Sequence, residues 1–353
     1  MATVRDISER TGYSQATISR ILSNDSTFVV TAETRQRVLD CAKELNYVYK
    51  GRHKVPENNS MQKHKIGIVP IGLESTERGE LQDPYYLYIR NGIEERLDQL
   101  GFHNTVIISM SKKQDYEKLE GVESIIVIGK KEFDTENPFF RRLLHVIFVD
   151  YDFDHHRYDC VLSDFSDAVR TAVDFMAECG YRKVGYIGSW DYINDFANNR
   201  MIQKLDSRQI TFEAYAEEKG LSYKPYLYVG EKFTKGVGYD LAKSAICSGK
   251  LPEAFLVGSD PMAMGVYRAF GEAGIRIGTD IGLISIDNIA DTAYMTPPLT
   301  SVMVYAQQMG RSAVDCLVQR LEGRKVPVKM ILPTALVERE SCKRMLPKAA
   351  DRW

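Results

Sequence analysis

The stretch TVRDISERTGYSQATISRILSN, Thr3–Asn24, decides how the rest of the chain is read. Thr3 stands three residues before Asp6, the spacing at which a hydroxyl and a carboxylate cap a helix start reciprocally. Val4 and Ile7 follow at a three-residue spacing and predict one inward face. Gly12 interrupts the pattern where a tight turn needs a residue that tolerates positive φ. Ser14 is the next cap, and Gln15–Ser23 reads as a second short helix. Its apolar Ile18, Ile21 and Leu22 lie on one side, leaving Gln15, Ala16, Ser19 and Arg20 outward. A third helix is expected from Thr31 to Leu45, with Val38, Ala42 and Leu45 at i, i+4 and i+7. Two short helices about a glycine turn, backed by a third, form a helix-turn-helix. A merely solvated face on the second helix would carry Glu and Lys. Small, hydroxyl and amide side chains with one Arg instead suit a helix that enters the major groove, reads base edges and touches phosphates.

Charge supports the division of labour. The 353 residues carry a net charge of -2, yet residues 1–65 hold eleven Lys/Arg against seven Asp/Glu. A small basic head on a larger acidic body suits a nucleic-acid module joined to something else. Hydrophobic content of 44% and charged content of 27% are those of a globular protein. The sequence has no apolar run long enough to span a membrane and no secretion signal at MATVRDISER, so a cytoplasmic location is expected. Its six cysteines are scattered without a C-x-x-C pair, which points to reduced thiols.

The head resembles the DNA-binding domain of the LacI/GalR repressor family. The resemblance is carried by Asp6-Ile7, Gly12, Ala16-Thr17, Ser19-Arg20, Asn24 and Leu45-Asn46-Tyr47. It implies that Gln15, Ala16 and Arg20 read bases, while Thr3, Ser14, Thr17, Ser19, Asn24 and Thr34 hold the phosphate backbone. Residues 1–47 are then the DNA-binding domain and 48–65, VYKGRHKVPENNSMQKHK, a basic linker. The family's hinge helix places a leucine in the minor groove here. This linker has no leucine and contains Pro56, which helices accept only in their first turn. A helix starting near Pro56 with Met61 as wedge and a flexible basic tether are both open.

From residue 66 to 345 short apolar runs alternate with amphipathic stretches. Strands are expected at 66–71, 104–109, 124–129, 146–150, 184–188, 254–258 and 281–286. Helices are expected at 85–100, 166–179, 208–219, 236–248, 260–273 and 305–322. Such alternation predicts parallel sheets covered by helices, and the length suits two of them. Ligands of parallel sheets bind beyond the strands' carboxyl ends. Asp150, Ser189-Trp190, Ser259-Asp260 and Asp287 follow those ends. Carboxylates that accept hydroxyl protons beside an aromatic face suit a neutral sugar, although any one such Asp also fits a helix cap.

The segments GYRKVGYIG, LVGSDPMAMGVYRAFGEAGIRIGTDIGLISIDN and PPLTSV are similar to the family's effector domain. The fold so implied is an all-α helix-turn-helix head plus an α/β periplasmic-binding-protein-like domain with two parallel-sheet lobes. The match places Asp150, Arg208, Ser259 and Asp287 against effector, with Arg208 as bidentate donor to vicinal hydroxyls; relatives carry Asn in place of Ser259. The stretch DYINDFANNRMIQKLDS before Arg208 reads as an insertion.

The function expected is a homodimeric repressor of a sugar-utilisation operon that binds double-stranded operator DNA and an unphosphorylated sugar, with a galactoside as the candidate. No cofactor, metal or catalytic residue is implied. Asp150, Asp152, Asp154, His155 and His156 read as a solvated rim, because alternate residues of an extended segment point oppositely. Gly236-Val237-Gly238 lacks the third glycine of a dinucleotide fingerprint, and no G-x-S-x-G elbow exists. A solute-binding protein and a sugar-processing enzyme are the alternatives that the body alone would permit.

Overall fold

The computed structural model describes residues 3–22, 30–45, 47, 63–70, 84–110 and 112–343. The chain divides into two compact units, residues 1–59 and 60–353, so the division falls inside the stretch read as linker. Asn24, Pro56 and Met61 lie outside the described residues.

In the head, α1 (Val4–Thr11) begins at a capping box. The Asp6 N–H donates to Thr3 Oγ1 at 3.3 Å and the Thr3 N–H to Asp6 Oδ2 at 2.7 Å. These bonds from the Thr3 hydroxyl and N–H hold the Asp6 carboxyl below its ordinary range. Gly12 ends the helix at φ 78°, a conformation without a Cβ penalty only for glycine. α2 (Gln15–Leu22) starts with Ser14 Oγ accepting the Thr17 N–H at 3.1 Å. α3 (Ala32–Glu44) starts with Thr31 Oγ1 accepting the Thr34 N–H at 3.2 Å. Ile7, Ile18, Ile21, Val38, Cys41 and Ala42 form the core. Leu22, expected in that core, is half-buried at its margin. Each fully buried large apolar side chain contributes about 1.5–3 kcal/mol, so caps worth about 0.5–2 kcal/mol weigh heavily in so small a unit.

The body opens with β1 (Ile66–Val69), α4 (Pro84–Gln99), β2 (Thr105–Ile107), β3 (Ser124–Ile128), β4 (Lys131–Glu132), α5 (Pro138–Arg141), β5 (His145–Val149) and β6 (Asp159–Ser163). The chain then crosses to a second lobe. There it forms α6 (Phe165–Glu178), β7 (Val184–Ser189), β8 (Asp191–Asp195), β9 (Arg200–Lys204), α7 (Ser207–Glu218), β10 (Leu227–Gly230), α8 (Lys235–Cys247), β11 (Ala254–Val257), α9 (Asp260–Glu272), β12 (Gly282–Asp287) and β13 (Thr300–Val304). It returns through α10 (Ala306–Leu321) and β14 (Lys329–Leu332), and crosses again into β15 (Thr334–Val337).

The first sheet runs β14-β6-β5-β3-β1-β2 and is parallel throughout. The second runs β10-β7-β11-β12-β13-β15. Its last strand pairs antiparallel with β13, so the second lobe is a mixed sheet and not the purely parallel one expected. Central strands are buried on both faces: in β3, Ile126 and Ile128 join one core while Ile125 and Val127 join another. That is why their runs are continuously apolar. β6, β10, β13, β14 and β15 were not among the expected strands. β14 and β10, for instance, are short strands without a fully buried residue, unlike the buried central strands β1 and β11 of the same length.

Two features bind the crossings together. α10 lies against α4 of the first lobe at glycine distance: a Cβ on Gly92 would stand 2.0 Å from the Gln307 carbonyl oxygen, and one on Gly310 would stand 2.1 Å from that of Ile89. Beneath its end, the fully buried Asp159 receives Arg320 Nε at 2.9 Å, Arg324 Nη2 at 2.6 Å and the Val328 N–H at 2.7 Å. Burial, the largest influence, works to raise the Asp159 pKa, but the bonds from Arg324, Arg320 and Val328 outweigh it and leave the carboxyl below its ordinary value.

Candidate functional site

On the head, the helix spacing resolves α2 into two faces. Ile18 and Ile21 are buried, Gln15, Ala16 and Arg20 are exposed, and Thr17 and Ser19 are half-buried between them. The outer face therefore carries one amide, one methyl and one guanidinium, flanked by hydroxyls. Thr3, Ser14 and Thr34 have local partners: Thr3 Oγ1 donates to Asp6 Oδ2 at 2.8 Å, Ser14 Oγ lies 2.9 Å from Thr17 Oγ1, and Thr31 Oγ1 donates to Thr34 Oγ1 at 2.9 Å. Those hydroxyls thus orient helix starts, and helix starts are also where backbone N–H groups favour phosphate.

In the body, a cavity of about 240 Å³ is walled by both lobes. Tyr85 and Tyr86 come from the first turn of α4, Lys130 from the end of β3 and Asp150 from the end of β5. Across it stand Phe165, Ser189, Trp190, Asp191, Asp206, Arg208, Phe233, Ser259 and Asp287. Asp150, at φ 65°, accepts the Tyr85 hydroxyl at 3.0 Å and the Tyr86 hydroxyl at 3.1 Å. Burial raises its pKa, against the pull of Lys130 and the two tyrosines. The tyrosine pair, whose sequence fits pocket lining or helix packing equally, belongs to the cavity wall.

Arg208 differs from its expected role. Its Nε and Nη2 close a fork on Asp206 at 2.8 and 2.9 Å, and Nη1 donates to the Gly258 carbonyl at 2.7 Å. Phe165 and Phe233 flank the guanidinium carbon at 4.8 and 4.0 Å from their ring centres. The bidentate edge is therefore occupied by the protein's own carboxylate. Of five guanidinium protons two remain, one on each η nitrogen, so Arg208 offers a ligand single hydrogen bonds. Although burial is the largest influence and favours protonation of the carboxyl, Arg208 and Lys130 keep Asp206 below its ordinary value.

Asp260, expected at the ligand, is a correction. It is fully buried, and its carboxylate accepts the hydroxyls of Ser285 and Ser301 and the Ile289 N–H at 2.7 Å. Burial raises its pKa to about 6. This carboxylate ties β12 and β13 together and does not line the cavity. Ser259 lines the wall while capping α9 through the Met262 N–H at 3.5 Å. Asp287, in the left-handed region at φ 118°, receives the Asp260 N–H at 3.3 Å. Trp190 lines the cavity, with its backbone N–H donating to the Gly230 carbonyl at 3.0 Å.

Lys130, Asp191, Asp206 and Phe233 were missed. The strand-end rule would have found Lys130 had it been applied to SIIVIG. Phe233 follows β10, a half-buried strand that was not among those expected. Asp191 opens the hairpin β8–β9, which the sequence presents only as an insertion. Away from the cleft, Asp152 pairs with His155 Nδ1 at 2.9 Å and Lys329 at 2.7 Å. Among the described residues no group of three or more His, Cys, Asp or Glu could hold a metal.

Comparison with known proteins follows this architecture. Residues 3–49 match the model of bacterial regulatory proteins of the lacI family, and residues 173–342 match a periplasmic binding protein-like domain. The chain is 34% identical to the HTH-type transcriptional repressor MelR of Bacillus subtilis (strain 168), over 97% of this chain and 98% of that protein. It is 34% identical to the HTH-type transcriptional regulator GalR of Streptococcus thermophilus, over 97% and 100%. In fold it resembles the Lac repressor dimer bound to operator and the anti-inducer ONPF, with TM-score 0.64, 22% identity and coverage of 97% and 99%. It also resembles the transcriptional regulator CelR–cellobiose complex, with TM-score 0.65, 20% identity and coverage of 97% and 100%. A helical head with one polar helix face exposed, a two-lobed α/β body and 34% identity to regulators over nearly the whole chain lead to one conclusion: the chain belongs to the lacI family of bacterial regulatory proteins, the helix-turn-helix regulators of transcription.

Proposed function

We propose that the chain is a cytoplasmic, homodimeric repressor of a sugar-utilisation operon, and that a neutral sugar, a galactoside, binding between its lobes alters operator affinity. The observation that carries the sugar reading is the state of the cleft's charges. Of its cations, Lys130 is paired with Asp191 at 2.8 Å and Arg208 with Asp206 at 2.8 Å, while Asp150 is held by two phenols. With these two cations already neutralised by carboxylates, and Asp150 and Asp287 left as hydrogen-bond acceptors, the cleft favours a ligand that brings hydroxyls over one that brings a phosphate. Trp190, Phe165 and Phe233 supply faces for its C–H groups. The names of the relatives accord with this, since the CelR structure contains cellobiose. Dimerisation is supported by the dimer in the Lac repressor structure.

Operator binding changes only if effector prefers one lobe arrangement over another. On this reading Gln15, Ala16 and Arg20 contact bases, Thr3, Ser14, Thr17, Ser19, Asn24 and Thr34 contact phosphates, and Asp150, Trp190, Arg208, Ser259 and Asp287 contact sugar. The chain is a regulator and not an enzyme, in keeping with its relatives. The test is a gel shift on DNA upstream of the protein's own gene, with galactose, galactosides and glucosides titrated in, beside a thermal-shift series. Specific retardation altered by one galactoside that also raises the melting temperature is expected. No sequence-specific retardation would overturn the operator role, and a shift produced only by phosphorylated sugars would overturn the neutral-sugar role.

A further inference from the structure

The insertion before Arg208 forms a structure that joins the lobes a second way, apart from the chain crossings. β8 and β9 pair antiparallel from Asp191↔Lys204 to Asp195↔Arg200, giving a hairpin that leaves the second lobe at the end of β7. The hairpin's partner is β4, which leaves the first lobe just after β3. Pairing is parallel, Lys131↔Asn194 and Glu132↔Asp195, with the Asn194 N–H donating to the Lys130 carbonyl at 3.1 Å and the Phe196 N–H to that of Glu132 at 3.0 Å. Side chains reinforce the join. Phe196 from the hairpin tip is buried in the first lobe's aromatic cluster, 5.4 Å from Phe133 ring to ring. Lys130 meets Asp191 at 2.8 Å in the cleft wall. At the turn, Asp195 accepts the Asn198 N–H at 3.0 Å, the Asn198 amide at 2.9 Å and Arg200 Nε at 2.9 Å.

We propose that the β8–β9 hairpin is a strap that closes the two lobes over the cleft through contacts within the chain, so that a ligand enters by parting β4 from β8. The contacts of the strap named above are all made within the chain. Its backbone join is a ladder of two residue pairs and its plug is one ring, so it parts at far lower cost than either six-stranded sheet. The buried ring is the larger contribution, because withdrawing it exposes apolar area and leaves a cavity in the cluster it fills. A strap of this kind makes ligand association wait on a protein motion, with a ceiling set by the opening rate. Only this consequence rests on the cleft's being the effector site; the strap itself is tested without any sugar, so the two readings fail separately.

The experiment is hydrogen exchange on the full chain, followed at the Asn194 and Phe196 amides, with β7 and β11 amides as internal reference. Protection of both strap amides in sugar-free buffer is expected, and exchange at free-peptide rates would overturn the proposal. Phe196→Ala should speed exchange at both positions by about a hundredfold while β7 and β11 stay protected. Uniform loss of protection across both lobes would instead make Phe196 part of one indivisible core and overturn it. Asp195→Ala, which leaves the aromatic cluster intact, should act in the same direction; unchanged exchange in that variant counts against the strap. In a Trp353→Phe background Trp190 is the only tryptophan, and its quenching by acrylamide should rise in both variants as the cleft opens. Unchanged quenching beside faster exchange would show that the hairpin moves without opening the cleft, and would overturn its role as a closure.

Discussion

Gln15, Ala16 and Arg20 of the head sit on one eight-residue helix, and their common face follows from its own period. Asp150, Arg208 and Asp287 of the body come from the end of β5, the start of α7 and the end of β12, and meet only because the chain crosses between lobes. The head's outer face is exposed, while in the cleft the buried Arg208 is closed on Asp206 and the half-buried Lys130 on Asp191. A surface of the first kind survives the loss of one side chain with little structural consequence. In the second kind, each group is also part of what holds its neighbours.

The sharpest way to expose that difference is Asp159→Ala. Two half-buried guanidinium groups and the Val328 N–H lose the fully buried carboxylate they share, which should cost about 3–5 kcal/mol in urea denaturation of the body. In the wild type, the Asp159 pKa lies below its ordinary 3.8, so its contribution is complete above that value and is lost as pH falls through the lowered one. A body insensitive to Asp159→Ala would break the contrast.

Arg20→Ala should leave the melting temperature nearly unchanged, yet cost about 1–3 kcal/mol of operator affinity and relax preference at one base pair. Full operator discrimination by that variant, measured over a set of single-base operator changes, would remove Arg20 from base reading.

Lys131 provides a test of opposite sign. It is fully buried, its ammonium finds no hydrogen-bond partner among the described residues, and it lies 5.8 Å from the Phe196 ring centre. Desolvation lowers its pKa to about 7. Unfolding therefore restores a proton between about pH 7 and 10.5, and wild-type stability should climb as pH rises through that window. Lys131→Met should stabilise the body by about 1–3 kcal/mol at pH 7 and flatten that part of the stability curve. A destabilised variant would mean that the amine has a structural partner.

Smallest is Thr3→Ala, which removes one half of the capping box. About 0.5–2 kcal/mol of head stability should go, read by hydrogen exchange in α1, with body amides unaffected. Loss of protection in both units would show that they unfold together.

The comparison also explains which parts were legible. Thr3, Gly12 and Ser14 announce the head because capping and turn chemistry act over three or four residues. Asp150 and Asp287 were legible because strands buried on both faces leave continuous apolar runs, and the first polar residue after each run marks the sheet's ligand edge. Asp260 obeyed the same rule and yet turned inward, since Ser285 and Ser301 on neighbouring strands offer it hydroxyls that no local pattern reveals. Arg208 was placed at the cleft, but its fork was already closed on Asp206, two residues before it.

What the amino-acid order determined by itself was therefore everything set by short-range periodicity: three capped helices with one polar face outward, the central strands, and the residues at their ends. Tertiary structure alone decided which strand ends face each other, which charges neutralise which, and that an apparent insertion pairs with a two-residue strand of the other lobe. The reason is physical. Hydrogen bonds within a helix link residues four apart, whereas the pairing of β4 with β8 joins positions more than sixty residues apart, and nothing in either segment states its partner.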